Sequence, residues 1–234
     1  MAQNITIGFI GYGNMAQAIA QGLVDAGVVN GGDIVACAAH YDKLEASTAK
    51  LGARPLHSAR EVAAAADVVV IAIKPYQIES VIKPIADEFA KNGRFVVSIA
   101  AGWDLAKYQK LFGDLAQSIH IQCTIPNTPM AVGKGVLVTE SVNSLTDDET
   151  ETFEQLFGWS GERILVSVGS TLGGLTLRHG STGMSSSSSA WSSIIFRLTK
   201  WSLSVEGASR LESTRMHWRI WSGVSSVRRI QPMT

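Results

Sequence analysis

Residues 5–16, Ile-Thr-Ile-Gly-Phe-Ile-Gly-Tyr-Gly-Asn-Met-Ala, decide the fold of this 234-residue chain. The first six of them form a short apolar run, which is typical of a buried strand. After the glycines, residues 15–26 carry apolar side chains at the spacing of a helix. A strand, a turn of the pattern Gly11-x-Gly13-x-x-Ala16 and a helix together predict a dinucleotide-binding βαβ unit.

Each small residue of this pattern has a physical role in such a unit. The first glycine permits a tight turn, and the second lets the backbone approach a pyrophosphate. Ala16 keeps the helix close to the strand, and the helix N-terminus offers free N–H groups and a partial positive charge. The alternative interpretation is a glycine-rich turn without a ligand.

The remainder of the N-terminal region alternates strands with helices. Such alternation predicts an α/β fold, a Rossmann-like doubly wound parallel sheet with helices on both faces. Thr146 and Glu149 form a capping-box pattern before the last helix. The expected strands are 5–10, 34–38, 68–73, 94–100 and 119–125, and the expected helices are 15–26, 41–51, 59–66, 78–91, 105–111 and 147–157.

Composition divides the chain into two regions. Residues 1–160 carry 11 Lys/Arg and 17 Asp/Glu, whereas residues 161–234 carry 9 and 3. Five of the six tryptophans lie at or beyond 159, and a run of five serines occupies 185–189. We therefore predict a dinucleotide-binding domain over 1–157 and a different segment over 158–234, in which neither helical nor strand periodicity persists.

The overall composition narrows the classes of function. The net charge is zero, which gives no argument for nucleic acid or an acidic membrane surface as a partner. Cys37 and Cys123 fit no metal or redox spacing, and we interpret both as buried thiols. The sequence shows neither a secretory signal nor an apolar run of membrane-spanning length. We expect a cytoplasmic, reduced, soluble protein with a small-molecule substrate and no metal.

The end of the second expected strand bears on the choice of cofactor. Sites that prefer NAD usually place an acid there to bind the ribose hydroxyls. This chain instead has Ala38-Ala39-His40, and the first acid after the strand is Asp42. That absence favours NADP, with His40 donating to the 2′-phosphate, but it leaves NAD open. The alternative for His40 is a solvated loop histidine.

Four stretches together resemble the pyrroline-5-carboxylate reductases. They are residues 7–16, Ile71-Ala72-Ile73-Lys74-Pro75, Ser98-Ile99-Ala100-Ala101-Gly102, and Pro126-Asn127-Thr128-Pro129 with Val132-Gly133-Lys134-Gly135 after it. The resemblance covers about residues 5–157 and implies an NAD(P)H-dependent oxidoreductase of proline biosynthesis. Such enzymes transfer a hydride to the C=N bond of 1-pyrroline-5-carboxylate, which gives L-proline. The reaction requires two aligned rings, with no nucleophile and no metal.

The resemblance also implies roles for single residues. Asn127 and Thr128 would lie near the reacting rings, with a capping and turn role as the alternative. Lys74 would contribute to cofactor binding, and the alternative is a surface lysine on a rigid turn. No catalytic residue is assigned. The residues implied in cofactor binding are Ile10, Gly11, Tyr12, Gly13, Asn14, Met15, Ala39, His40, Ala72, Ile73, Lys74, Pro75, Ala100, Ala101 and Gly102.

The chain departs from the family at several positions. Cys123 stands where an arginine is common, Ile125 replaces a usual methionine, and an asparagine expected near Ser58 is absent. After about Trp159 the family's helical domain, which supplies the substrate carboxylate site and the homo-oligomer interface, is not recognisable. We interpret the tail as a reading-frame disruption between about 157 and 172, and a basic Arg/Trp arm is the alternative.

Two further functions stay open beside the reductase. One is a non-catalytic NADP-binding module, which is what a reductase without its helical domain becomes. The other is a related oxidoreductase of the hydroxyacid dehydrogenase type. These usually place a catalytic lysine on a later helix, and no suitable helix is readable here. We expect dinucleotide binding with little or no turnover.

Overall fold

The computed structural model describes residues 5–91, 94–168 and 224–230, with the backbone alone over 162–168 and 224–230. Within those residues, one sheet of nine strands has the order β3-β2-β1-β4-β5-β6-β7-β8-β9. The strands are β1 Ile7–Ile10, β2 Ile34–Cys37, β3 Arg54–Pro55, β4 Val68–Ile71, β5 Phe95–Ser98, β6 His120–Ile125, β7 Gly135–Glu140, β8 Gly161–Val168 and β9 Val224–Ile230. The helices are α1 Asn14–Asp25, α2 Tyr41–Thr48, α3 Ala59–Ala65, α4 Ile78–Ile82, α5 Ala86–Phe89, α6 Leu105–Phe112 and α7 Asp147–Phe157.

The first six strands are parallel, and their order reverses beside β1. From β1 the chain builds outward to β2 and β3, then returns to add β4, β5 and β6 on the other side. This reversal confirms the Rossmann-like doubly wound fold. It also leaves a crevice at the carboxyl ends of β1 and β4, where ligands bind in open α/β sheets.

The sheet is not parallel throughout, which corrects the sequence-based expectation. β7 runs antiparallel to β6, and β9 runs antiparallel to β8, whereas β7 and β8 are parallel. The connection from β6 to β7 contains only the short 3-10 helix Thr128–Val132. A parallel neighbour needs a crossover of a dozen or more residues, so this short connection returns the chain in the opposite direction.

Two apolar cores cover the two faces of the sheet. Every residue of β1, β2, β4 and β5 is buried, which confirms strands covered on both sides. Alternate residues face alternate sides, as Phe9 and Ile10 illustrate. Phe9 packs in the core that contains α1 and α7, and Ile10 packs in the core that contains α3 and α6.

Several expected elements differ from the observed ones. The single helix expected over 78–91 is wrong, because Lys83–Ile85 forms a 3-10 turn between α4 and α5. Pro84 lies in that turn, lacks an N–H and crowds the preceding turn of a helix. Four strands were not predicted from the sequence, namely β3, β7, β8 and β9, and the last two lie in the segment where no strand periodicity was expected. The capping box is confirmed, since Thr146 accepts a hydrogen bond from the Glu149 N–H.

The chain continues in the sheet after α7. β8 pairs along β7, and the Trp159 ring packs against α1 at Gly22, where a Cβ atom would approach the ring carbons to 2.1 Å. The division at residue 157 stays a prediction, and the serine run at 185–189 lies outside the described residues. Among the helices described, none has the length and apolar character needed to cross a bilayer.

Candidate cofactor-binding site

The turn after β1 is fixed by a glycine that no other residue can replace without strain. Gly11 has φ +91°, and its N–H donates to the Cys37 carbonyl at 2.9 Å. A Cβ atom at this position would lie 2.7 Å from the Ala72 carbonyl oxygen. The first glycine of the pattern therefore serves both the backbone conformation and the close approach of the loop after β4.

Gly13 is a glycine for a different reason. Its φ and ψ of −79° and −174° are open to any residue, and a Cβ atom would meet no atom of the described residues within 4 Å. Gly13 is exposed and is the N-cap residue of α1. Within the described residues nothing requires a glycine here, and Gly13 lies in the turn that follows β1, beside the crevice between β1 and β4.

The N-terminus of α1 has neither a side-chain cap nor an acid in its first turn. By contrast, Ser58, Asp104 and Thr146 cap α3, α6 and α7 through their side chains. The first N–H groups of a helix lack partners within the helix and carry a partial positive charge. Among the described residues, these donors of α1 have no side-chain acceptor, and a helix start of this kind is the arrangement that binds an anionic group.

The other residues of this turn divide between core and surface. Ile10 and Tyr12 are buried, Asn14 is exposed and Met15 is half-buried. The Tyr12 ring packs edge-on to Phe9 in the core, and burial raises the pKa of Tyr12 to about 12. The side chain of Tyr12 thus belongs to the core, and only its backbone is available to the turn.

A pair of stacked rings, Tyr41 and His57, follows β2 and β3 at the carboxyl ends of the parallel strands. Ala39 and His40 are exposed, and His40 is the N-cap residue of α2. Tyr41 stacks on His57, with ring centroids 4.2 Å apart and an angle of 14° between the planes. Neither residue of this pair was predicted from the sequence to belong to the site. A tyrosine four residues after the end of β2 was the signal available for one, but nothing local placed His57 beside it.

The loop after β4 has a rigid start. Ala72 and Ile73 are half-buried, whereas Lys74 and Pro75 are exposed. Lys74 has φ −67° and ψ 144°, which confirms the extended conformation expected before a proline. The Lys74 N–H donates to the Gln77 side-chain oxygen at 3.2 Å. This loop is therefore a closed turn with the Lys74 side chain on its outside.

The loop after β5 needs its glycine for the turn itself. Gly102 has φ +83°, and the Trp103 N–H donates to the Ala100 carbonyl at 3.2 Å. A Cβ atom at 102 would meet no atom of the described residues within 4 Å. The positive φ at the third position of this turn is what selects glycine. Ala100 is buried and Ala101 is exposed beside it.

Asn127 and Thr128 follow β6, the outermost of the six parallel strands. The Asn127 side-chain oxygen accepts a hydrogen bond from the Val136 N–H at 2.7 Å, which ties the exit of β6 to β7. Thr128 is exposed and begins the 3-10 helix that packs against α1 through Met130. The structure thus gives Asn127 a role in the turn, and the substrate role of both residues stays a prediction.

Both thiols are free and buried, which confirms their interpretation. Burial raises the pKa of Cys37 to about 11, and it raises the pKa of Cys123 well above its usual range, with Glu140 and Asp104 adding to the shift. Neither thiol is thus ionised near neutral pH. Within the described residues no three His, Cys, Asp or Glu side chains are grouped to hold a metal ion.

Comparisons with known proteins agree with this geometry. The family model described as NADP oxidoreductase coenzyme F420-dependent matches residues 6–102. Pyrroline-5-carboxylate reductase of Treponema pallidum is 35% identical over 146 residues, 62% of this chain and 54% of that protein. The Escherichia coli reductase is 32% identical over 185 residues, 79% of this chain and 65% of that protein. The N-terminal part of the chain is thus similar to the pyrroline-5-carboxylate reductases.

Solved structures of the reductase family share the fold. The Coxiella burnetii pyrroline-5-carboxylate reductase has a TM-score of 0.66 and 27% identity, with 88% of this chain and 73% of that chain covered. The Plasmodium falciparum enzyme, solved with NADP bound, has a TM-score of 0.62 and 23% identity, covering 71% and 59%. The chain spans just over half the length of the first curated reductases that it matches.

The departures from the reductase pattern take structural roles here. Cys123 is buried in β6, and Ile125 is the last residue of that strand. Ser58 caps α3, and its hydroxyl accepts a hydrogen bond from the Glu61 N–H at 3.2 Å. Ser58 caps the helix as an asparagine would, since the serine hydroxyl and the asparagine side-chain oxygen both accept hydrogen bonds from the N-terminal amides.

Proposed function

We propose that this chain binds a nicotinamide dinucleotide and that the protein acts as a pyrroline-5-carboxylate reductase. The observation that carries the proposal is the N-terminus of α1, where no described atom lies within 4 Å of a Cβ position at Gly13 and no described side chain caps the helix. The relatives named pyrroline-5-carboxylate reductase support the choice of substrate. Activity, substrate and oligomeric assembly are all parts of this proposal.

The backbone of the turn would hold the pyrophosphate. Amide groups at the start of α1 donate to the phosphate oxygens, and the helix dipole favours their negative charge. Asn14 is exposed beside them and fits the same role. The loops at 72–75 and 100–102 follow β4 and β5, whose ends lie in register, and they would receive the ribose and the nicotinamide.

The cofactor we propose is NADP(H) rather than NAD(H). Residues 38–40 carry no carboxylate, and His40 is exposed three residues after the end of β2. A carboxylate at this strand end would repel a 2′-phosphate, whereas an imidazole can donate a hydrogen bond to it. The stacked Tyr41 and His57 rings lie on the same side and would flank the adenosine.

The chemistry we propose is reduction of a ring imine. A bound reduced cofactor would supply the hydride from C4 of its nicotinamide, and the new C–H bond would form at the carbon of the protonated C=N bond. The electron pair of the C=N bond moves to the nitrogen, which keeps its proton. The protein's part is to align the rings and exclude water. Asn127 and Thr128 are proposed to lie on the substrate side.

A second candidate is a non-catalytic NADP-binding module. The change of composition after residue 160, where 9 Lys/Arg stand against 3 Asp/Glu, favours it, since the family's helical domain is not recognisable in that segment. Isothermal titration of the purified chain with NADPH, together with a turnover assay on 1-pyrroline-5-carboxylate, separates the two. Binding with turnover supports the reductase, binding alone supports the module, and absence of binding refutes both.

A further inference from the structure

Trp103 joins the two loops that follow β4 and β5. Its indole N–H donates to the Pro75 carbonyl at 3.2 Å. The same carbonyl accepts the Ile78 N–H, which closes the 3-10 turn Pro75–Gln77. Trp103 itself ends the turn that contains Gly102. One side chain of the second loop is therefore hydrogen-bonded to the backbone of the first.

The Trp103 ring is held from the interior side of the sheet. It lies 5.0 Å, centroid to centroid, from the ring of Tyr108, which is fully buried. The Tyr108 hydroxyl is 2.8 Å from the Ser98 hydroxyl, and the Ala100 N–H donates to that same Ser98 oxygen at 3.3 Å. The buried pair thus supports both the ring of Trp103 and the first residue of its turn.

The start of α6 fixes the remainder of the second loop. The Asp104 side chain accepts the Lys107 N–H at 2.7 Å, and the Lys107 ammonium donates to the Gly102 carbonyl. The loop is thus held on its interior side and at its exit. Its link to the first loop within the described hydrogen bonds is the indole N–H of Trp103.

We propose that Trp103 is a positioning residue, which sets the distance between the loop at 72–75 and the loop at 100–102. The inference rests on the proposed function, because those loops are the proposed ribose and nicotinamide sites. A ligand that spans both loops depends on their separation, whereas a ligand that contacts the adenosine side alone does not. Trp103 acts through the backbone and does not itself need to touch the cofactor.

The variant Trp103→Phe keeps a ring beside Tyr108 and removes the N–H donor. The matched control is Trp159→Phe, which also deletes an indole N–H, here the one that donates to the Leu156 carbonyl at 2.5 Å. The Trp159 ring packs against the second half of α1, away from both loops. The ligands are NADPH and adenosine 2′,5′-bisphosphate, which lacks the nicotinamide. Affinities come from titration calorimetry, and hydrogen exchange of the ligand-free chain reports on residues 73–78 and 100–103.

The expected result is selective. Trp103→Phe weakens NADPH binding roughly three- to tenfold, the effect of one hydrogen bond, and leaves the bisphosphate affinity within about twofold. Amides of both loops exchange faster by roughly the same factor. Trp159→Phe changes neither measurement at these loops.

Two results overturn the inference. One is equal weakening of both ligands, which indicates general destabilisation, and the other is unchanged exchange in the loop at 73–78. If the parent chain binds neither nucleotide, the proposed function fails instead. The exchange measurement on the ligand-free chain still decides whether Trp103 joins the loops.

Discussion

Gly13→Val is expected to remove dinucleotide binding while the fold stays intact. The backbone at Gly13 is extended, with φ −79°, so valine adopts it without strain. A Cβ atom would meet no described atom within 4 Å. The added methyl groups therefore occupy the vacant space in front of α1, where the pyrophosphate is proposed to lie.

The size of each effect follows from these contacts. Valine is a poorer N-cap residue than glycine by roughly 1 kcal/mol, and the loss of glycine's freedom in the unfolded chain offsets about 0.4–1 kcal/mol of this. The melting temperature should therefore move by no more than about 4 °C. A displaced pyrophosphate loses at least two hydrogen bonds to a charged group, at roughly 1.5–3 kcal/mol each. The Kd for NADPH should rise by about two to four orders of magnitude.

The assay combines calorimetric titration with NADPH and a thermal melt of the ligand-free chain. The control is Gly32→Val, another exposed glycine with no described atom within 4 Å of its Cβ position, which precedes β2 at the opposite edge of the sheet. The control should bind NADPH as the parent does. If Gly13→Val binds NADPH within threefold of the parent, the pyrophosphate does not lie at this turn and the proposed function is wrong.

Three further changes have defined outcomes. His40→Ala should lower the ratio of NADPH to NADH affinity about tenfold, as one lost hydrogen bond to a phosphate predicts, and an unchanged ratio in paired titrations would show that His40 does not read the 2′-phosphate. Burial raises the pKa of Glu140, so the ionisation of this carboxyl opposes folding as the pH rises from about 4.5. Glu140→Gln should therefore raise the melting temperature at pH 7 and raise it less near pH 4. An equal rise at both pH values would contradict this reasoning. Gly22→Ala places a Cβ atom 2.7 Å from the Met130 carbonyl and against the Trp159 ring, so the free energy of unfolding from chemical denaturation should fall by about 1–3 kcal/mol. The double variant Gly22→Ala/Trp159→Ala should recover part of that free energy, and no recovery would show that the clash lies elsewhere.

The sequence carried the central features of the fold because they are local. The apolar runs at β1, β4 and β5 sit between turn signals, and their burial on both faces follows from continuous hydrophobicity. The glycine turn at 11–13 was readable for the same reason, since turn and helix start follow each other in the chain.

Features that depend on distant residues were not readable. The direction of β7 follows from a short connection whose 3-10 helix packs on α1, and the two-residue β3 has no periodicity to detect. The stacked Tyr41 and His57 meet only when β2 and β3 are paired. The contact between Trp103 and Pro75 likewise requires β4 and β5 to lie side by side.

The open helix start at Gly13 has a practical consequence for the choice of buffer. Backbone amides at a helix N-terminus recognise the shape and charge of an oxyanion, and they do not distinguish a pyrophosphate from inorganic phosphate or sulfate. Either ion at high concentration is therefore expected to compete with a nucleotide at this turn. Titrations in chloride with a zwitterionic buffer should return tighter apparent binding than the same titrations in phosphate.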